Sequence, residues 1–209
     1  MQTPKFSIIT PVFNNEKDIE QCLKSVAAQT YTNIEHILID GNSNDNTLNI
    51  ISAYSNKYSH IKYLSEKDNG IYDAMNKGIK NAKGKYVYFL NSGDCFCSST
   101  VLTGISAAML SGDHAVVYGN VIIGNKTIRY KRQLSLYYLL NMGMCHQAQF
   151  LKRELFEKYG YYDPVYKITA DHCQLMLFIA KYNAAYLQVN IAIAVIELGG
   201  ISATSIESN

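Results

Sequence analysis

Asp94 closes the segment Asn91-Ser92-Gly93-Asp94, which follows the apolar run Tyr86-Val87-Tyr88-Phe89-Leu90. A carboxylate there can hold a hard cation, because Mg2+ takes one or two protein carboxylates and completes its shell with phosphate oxygens and water. It can equally be a turn residue capping a helix that begins near Ser98. Asp171 opens a helical pattern in Ile168-Thr169-Ala170-Asp171-His172. In that position it either complements the helix dipole or acts as a general base toward a hydroxyl. Asp40 heads the polar stretch Asp40-Gly41-Asn42-Ser43-Asn44-Asp45-Asn46-Thr47 and can accept hydrogen bonds from a nucleobase N–H or a ribose hydroxyl. Asp45, in the same stretch, is better placed to cap the next helix. His146-Gln147 is a polar pair interrupting an apolar stretch, a placement that suits proximity to a metal or to a second substrate.

These residues need a scaffold, and the first half of the chain supplies one. Residues 6–9 form a short apolar run that Pro11 is expected to stop. Residues 16–29 carry Ile19, Cys22, Leu23, Val26 and Ala27 at amphipathic-helix spacing. Strands are expected over 37–39, 61–64 and 86–90. Helices are expected over 46–57 and 71–82, the latter with Ile71, Met75, Ile79 and Ala82 inward. This alternating order implies an α/β fold: a mostly parallel, Rossmann-like central sheet with helices on both faces. Ligands of such sheets bind beyond the carboxyl ends of the strands. The polar clusters fall there: Asn14-Asn15, residues 40–45, 66–70 and 91–94. In the second half, strands are expected at 115–123 and 126–132 around the turn Gly124-Asn125, and helices over 152–159 and 170–182.

Composition sets the limits. Of 209 residues, 48% are hydrophobic and 17% charged, enough to bury a core and too ordered a mixture for a disordered chain. A net charge of +2 is too mild to imply nucleic-acid binding, so no nucleic acid is expected among the partners. The start shows no targeting signal, and no apolar stretch reaches the roughly 18–20 residues of a membrane span. Cys22, Cys95, Cys97, Cys145 and Cys173 are scattered and odd in number, which fits free thiols in a reducing cytoplasm. Residues 126–144 mix Lys126, Arg129, Lys131 and Arg132 with Tyr130, Tyr137, Tyr138, Leu139 and Leu140. Such a mixture can touch a membrane interface. A strand followed by a core helix is the plainer reading and the preferred one. The expected location is therefore cytoplasmic, with peripheral contact at the inner face of the membrane as the further option.

Taken in order, the motifs resemble the family 2 glycosyltransferases, which have the GT-A fold. The pieces are Thr10-Pro11-Val12-Phe13-Asn14, residues 39–47, residues 65–78, Phe89-Leu90-Asn91-Ser92-Gly93-Asp94, His146-Gln147, Ala170-Asp171 and Gly199-Gly200-Ile201-Ser202. The resemblance implies a single domain over 1–209, its nucleotide-sugar-binding half about 1–97 and its acceptor-binding half about 98–209. It implies that Pro11, Phe13 and Asn14 line the nucleotide pocket and that Asp40, with Ser43 in its loop, contacts the base. Asp68, Gly70, Asp73 and Asn76 would face the ribose, diphosphate or donor sugar. Asp94 would ligate Mg2+ or Mn2+, Asp171 would be the base of an inverting transfer, and His146 and Gln147 would lie on the acceptor side. The implied partners are a UDP-, GDP- or dTDP-sugar donor and a saccharide or lipid-linked saccharide acceptor, in surface polysaccharide biosynthesis. Asn91 and Gly93 stand where many relatives carry aspartate, and Ala170 where many carry glutamate. The alternative of another class is a non-catalytic nucleotide-sugar-binding module of the same fold. A sugar-phosphate nucleotidyltransferase fits less well, since residues 11–17 contain no glycine and a single lysine.

Overall fold

The computed structural model describes residues 5–197. The Gly199–Ser202 piece of the resemblance lies outside them. The chain runs β1 (Phe6–Val12), α1 (Ile19–Ala27), β2 (Ile34–Asp40), α2 (Thr47–Lys57), β3 (Ile61–Ser65), α3 (Ile71–Asn81), β4 (Tyr86–Phe89), β5 (Cys95–Phe96), α4 (Val101–Ala108), β6 (Val116–Ile123), β7 (Lys126–Ile128), α5 (Leu136–Asn141), β8 (Gln149–Lys152), α6 (Arg153–Tyr159), α7 (Ala170–Met176) and β9 (Tyr186–Ile196). Among the described residues, nine strands share one sheet in the order β3-β2-β1-β4-β8-β6-β9-β5, with β7 on β6. β3, β2, β1, β4, β6 and β9 run one way, and β8, β5 and β7 oppose them.

The alternation along each strand divides the core. Phe6 and Ile8 of β1 face one side with α1, α2 and α4, while Ile9 faces the other with α3, α6 and α7. Gly78 sets the approach of α3 to the sheet, since a Cβ there would overlap the Ile9 side chain. Helices thus cover both faces, as expected.

Pro11 does not stop β1. The strand continues to Val12, paired with β2 through Pro11↔Ile39 and Val12↔Asp40. Pairing with β4 ends at Ile9↔Phe89. The Val12 carbonyl accepts from Gly41 on the β2 side, and the Ile9 carbonyl accepts from Leu90 on the β4 side. By alternation Pro11 points its nitrogen toward β4, beyond the end of that strand, where no N–H is needed.

The second half departs further from expectation. β7 ends at Ile128 rather than near 132, and β8, β9 and the two-residue β5 join the sheet unannounced. The helix expected over 170–182 stops being α-helical at Met176 and continues as a π-helix over Leu177–Lys181. α5 buries only Tyr138 and Leu139 of its six residues.

One buried group gives the fold a pH dependence. His36 of β2 is fully buried, with Nε2 2.9 Å from Thr10 Oγ1 and Nδ1 without a partner among the described residues. Burial, aided by His60, pushes its pKa down to about 3. The unfolded chain takes a proton near pH 6.5 that the folded chain refuses, so stability present above about 6.5 is lost as pH falls below it. Urea unfolding at pH 5 is expected to give about 2 kcal/mol less stability from this residue than at pH 7. His36→Met should flatten that part of the slope, and an unchanged slope in the variant would assign it elsewhere.

Candidate active site

The site begins at the turn between β1 and α1. Asn14 adopts a left-handed backbone, φ 47°, which asparagine tolerates better than most residues. Its N–H donates to Ser43 Oγ at 2.8 Å, and its Oδ1 accepts the Asn44 N–H at 2.9 Å. Asn15 donates its N–H to Thr47 Oγ1 and its side-chain amide to Ser92 Oγ at 2.9 Å. The ends of β1, β2 and β4 are thereby tied together. The N-cap of α2 is Asn46 rather than Asp45, which sits one residue earlier and accepts the Thr47 N–H at 3.0 Å and the Glu16 N–H at 3.2 Å.

Asp40 is fully buried. Its carboxylate accepts from Ser43 Oγ at 2.5 Å, the Ser43 N–H and Ser65 Oγ at 2.6 Å. It shapes the loop from beneath and leaves no surface of its own to a ligand. Pro11 is buried in β1 as well, so it lines no open pocket. Phe13 is the exposed member of this group, at 61%. A Cβ on Gly41 would come 3.3 Å from the Phe13 ring and 2.6 Å from the Asp68 carboxylate, so these three residues crowd one spot. The absence of a side chain at Gly41 keeps an exposed aromatic face beside a carboxylate, a surface on which a flat base can stack.

The loop before α3 is closed on itself. Asp68 accepts the Gly70 N–H at 2.9 Å, and Asp73 accepts the Asn69 N–H at 3.0 Å. Gly70 takes φ 113°, a conformation that L side chains rarely adopt. Lys77 fixes the loop from behind, 2.7 Å from the Lys67 carbonyl and 3.0 Å from Glu66. Asn76 corrects the sequence expectation. It is turned into the core, its amide donating to the Tyr162 carbonyl at 2.8 Å and accepting the Tyr162 N–H at 3.0 Å. It joins α3 to the segment after α6 and does not face the loop.

Asp94 lies beyond β4 and is 4% exposed. It caps no helix, since α4 starts at Val101 with Thr100 before it. Its carboxylate accepts from the Gln147 amide at 2.8 Å and from the Glu197 N–H at 3.0 Å. Burial pushes its pKa up, against the pull of those hydrogen bonds and of His146. Asp171 sits in the first turn of α7, which begins after Thr169 at φ 76°. It accepts from the Tyr72 hydroxyl at 2.9 Å and pairs with His146 Nδ1 at 2.9 Å. Burial by itself would raise its pKa, but the His146 and Tyr72 hydrogen bonds outweigh burial and hold it below the usual carboxylate range.

His146 and Gln147 occupy a short 3-10 turn before β8. Gln147 reaches Asp94, while His146 reaches Asp171 with one nitrogen and Asn91 Oδ1 with the other, at 3.1 Å. Two adjacent residues thus bridge the two carboxylates. The Tyr88 hydroxyl anchors the turn by donating to the Gln147 carbonyl at 2.9 Å. Tyr72 and the Glu197 backbone are partners that sequence reasoning missed. Tyr72 lies in the apolar stripe of α3 and reads there as core, and a main-chain donor leaves no sequence signal.

Among the described residues, no three His, Cys, Asp or Glu side chains converge as a ready cation cage. The donor set fits a cation that takes one protein carboxylate, Asp94, and completes its shell from a bound diphosphate and water.

Acidic side chains at the ends of β2 and β4, with a third carboxylate bridged to the second, define the class: a GT-A-type α/β domain. The chain belongs to the family described as Glycosyl transferase family 2, whose sequence profile matches residues 7–182. It is 36% identical over 176 residues to a PGL/p-HBAD biosynthesis glycosyltransferase of Mycobacterium tuberculosis, covering 82% of this chain and 68% of that one. The crystal structure of Staphylococcus aureus TarS superposes with a TM-score of 0.76 at 25% identity, covering 93% of this chain and 37% of that one. A Pyrobaculum calidifontis mannosyltransferase in complex with GDP-Man and Mn2+ superposes with a TM-score of 0.75 at 17% identity, covering 98% of this chain and 60% of that one. TarS residues 1–349 are also known in complex with UDP-GlcNAc. The chain spans 37% to 60% of these solved chains.

Proposed function

We propose that this chain is an inverting glycosyltransferase that moves a sugar from a nucleotide-sugar donor to an acceptor hydroxyl, in assembly of a surface polysaccharide at the cytoplasmic side of a membrane. The observation that carries the reading is the His146-Gln147 bridge between Asp171 and Asp94. It holds a general base and a cation-ligating carboxylate in one network, which is what in-line displacement of a nucleoside diphosphate requires. Asp171 takes the proton of the acceptor hydroxyl as that oxygen attacks the anomeric carbon and the bond to the diphosphate breaks. His146 and Tyr72 fix the carboxylate for that attack. Mg2+ or Mn2+ at Asp94 would neutralise charge building on the leaving diphosphate. Phe13, Asn14 and Ser43 form the base side of the donor pocket, with Asp40 as their support. Asp68, Gly70 and Asp73 stand toward the ribose, diphosphate or donor sugar. The complexes of the fold relatives with UDP-GlcNAc and GDP-Man support a sugar-nucleotide donor and leave its identity to experiment.

A thermal-shift screen of UDP-, GDP- and dTDP-sugars with Mn2+ tests the reading, because a ligand at about 100 times its Kd stabilises by about 2.7 kcal/mol. One donor should raise Tm and then be slowly hydrolysed to nucleoside diphosphate, in a metal-dependent manner. The second reading, a non-catalytic binding module, draws on Asn91 and Gly93 in the metal loop. A Tm shift with no diphosphate release, even with acceptor present, selects the module. No shift with any sugar nucleotide removes both.

A further inference from the structure

The face carrying α5 is unlike the rest of the surface. Leu136, Tyr137, Leu140 and Met142 are 53%, 78%, 63% and 51% exposed. A buried helix was the plainer expectation for this stretch, yet only Leu134, Tyr138, Leu139 and Met144 turn inward. The chain has 17 Asp and Glu, but none lies between Asp113 and Glu154. That interval instead supplies Lys126, Arg129, Lys131 and Arg132, all exposed. Cations and apolar groups share one cleft of about 760 Å³, lined by Arg129, Lys131, Tyr137, Tyr138 and Met142 among others. Neither Asp94 nor Asp171 lines this cleft.

We infer that this face docks on an anionic lipid bilayer. The apolar side chains of α5 enter the acyl boundary while Arg129, Lys131 and Arg132 meet lipid phosphates. Exposed leucines and a tyrosine on the same stretch of chain as three exposed cations, with no carboxylate among the described residues lining the cleft, match an anionic interface on both counts. A soluble acidic protein would meet the charge but has no need of four protruding apolar side chains. The position of the face adds a consequence. α5 runs through Met142 and Met144 into the turn holding His146, and the Tyr130 hydroxyl lies 3.4 Å from Cys145 Sγ. A docked α5 therefore places the general-base side of the site close to the membrane plane, where a lipid-linked acceptor would present its hydroxyl. That last step rests on the transferase reading, whereas the docking itself does not.

The test is sedimentation of the protein with phosphatidylglycerol–phosphatidylcholine vesicles, with pure phosphatidylcholine vesicles as control and no donor present. Binding is expected only to the anionic vesicles and should fall on going from about 0.1 M to about 1 M salt, as the screening length shrinks from about 10 Å to about 3 Å. The triple variant Arg129→Gln, Lys131→Gln, Arg132→Gln should weaken partitioning by about 10²-fold, at roughly fivefold per cation. Leu136→Ser with Leu140→Ser should weaken it by at least about tenfold through lost apolar burial. Both variants should keep the unfolding profile and any donor hydrolysis of the parent, because none of these residues lies in the site. Failure of the parent protein to bind anionic vesicles overturns the proposal. So does a concentration-dependent dimer, seen by sedimentation velocity, that the Leu136→Ser, Leu140→Ser variant abolishes, since a second copy would then be the occupant. Neither result bears on the hydrolysis assay, so the two readings fail separately.

Discussion

Asp171→Asn is expected to lower turnover by roughly 10²–10⁴-fold, the usual range for loss of a general base, with donor affinity unchanged. The substitution is nearly isosteric. Its amide oxygen can still accept from the Tyr72 hydroxyl, and its amide nitrogen can donate to His146 in the other tautomer, so the 2.9 Å contacts on both sides have replacements. What disappears is the proton acceptor. Tyr72→Phe makes a sharper companion. The Tyr72 hydroxyl, itself pushed up by burial and then by Asp171, stays a donor across the working pH range and stabilises the ionised carboxylate. Removing it takes away one of the forces that lower the pKa of Asp171. The acid limb of kcat/KM should therefore move to higher pH in Tyr72→Phe, while the plateau rate above it falls far less than in Asp171→Asn. A merely structural role for Tyr72 predicts a loss of rate with the limb unmoved. Full turnover in Asp171→Asn would remove this carboxylate from the chemistry.

The residues that make this prediction were unequally visible in the sequence. The front half was legible because each strand is a short apolar run ending in a polar cluster, and each helix shows its apolar stripe. The placement of Asp40, Asp68 and Asp94 at strand ends follows from that pattern alone. What those side chains do there does not follow. Asp40 and Asn76 carry motif-like spacing, yet the structure spends their polar atoms on Ser43, Ser65 and the Tyr162 backbone. Whether a polar side chain at a strand end or on a helix points out or in depends on partners distant in sequence. β9 was hidden for a related reason. It is only partly buried along most of its length, and its apolar run at residues 191–196 is also what a membrane-seeking pattern would show. The bridge itself was half legible. His146-Gln147 marked itself as a polar interruption, but its function lies in contacts to residues 25 and 53 positions away, which no local pattern encodes.

Asp94 carries the other large expected effect. Asp94→Ala should abolish the gain in donor affinity that Mn2+ gives the parent, a loss of roughly 10²–10³-fold if the cation contributes several kcal/mol. The expectation follows from the donor set. With Asn91 and Gly93 in the same loop, Asp94 is the single carboxylate of that segment, and the Glu197 carboxylate lies against Gly93 beside it. Its burial sharpens the case. A carboxylate 4% exposed loses most of its hydration, and the hydrogen bonds from Gln147 and the Glu197 N–H leave it net destabilised in the charged form. A divalent cation would favour the charged form directly. Alanine leaves the buried Gln147 amide without its acceptor, at about 1–3 kcal/mol, and the part-buried Glu197 N–H without its own, so some loss of stability is built into that variant. Asp94→Asn separates the two effects, because its amide oxygen keeps one of the donors satisfied while the charge is gone. Calorimetric titration of the donor with and without Mn2+ reads the difference. Both variants should bind the donor equally in the two conditions, and the parent should not. A parent whose affinity ignores Mn2+ would place the charge compensation of the diphosphate on other groups and leave Asp94 as a tether for Gln147 and the end of β9.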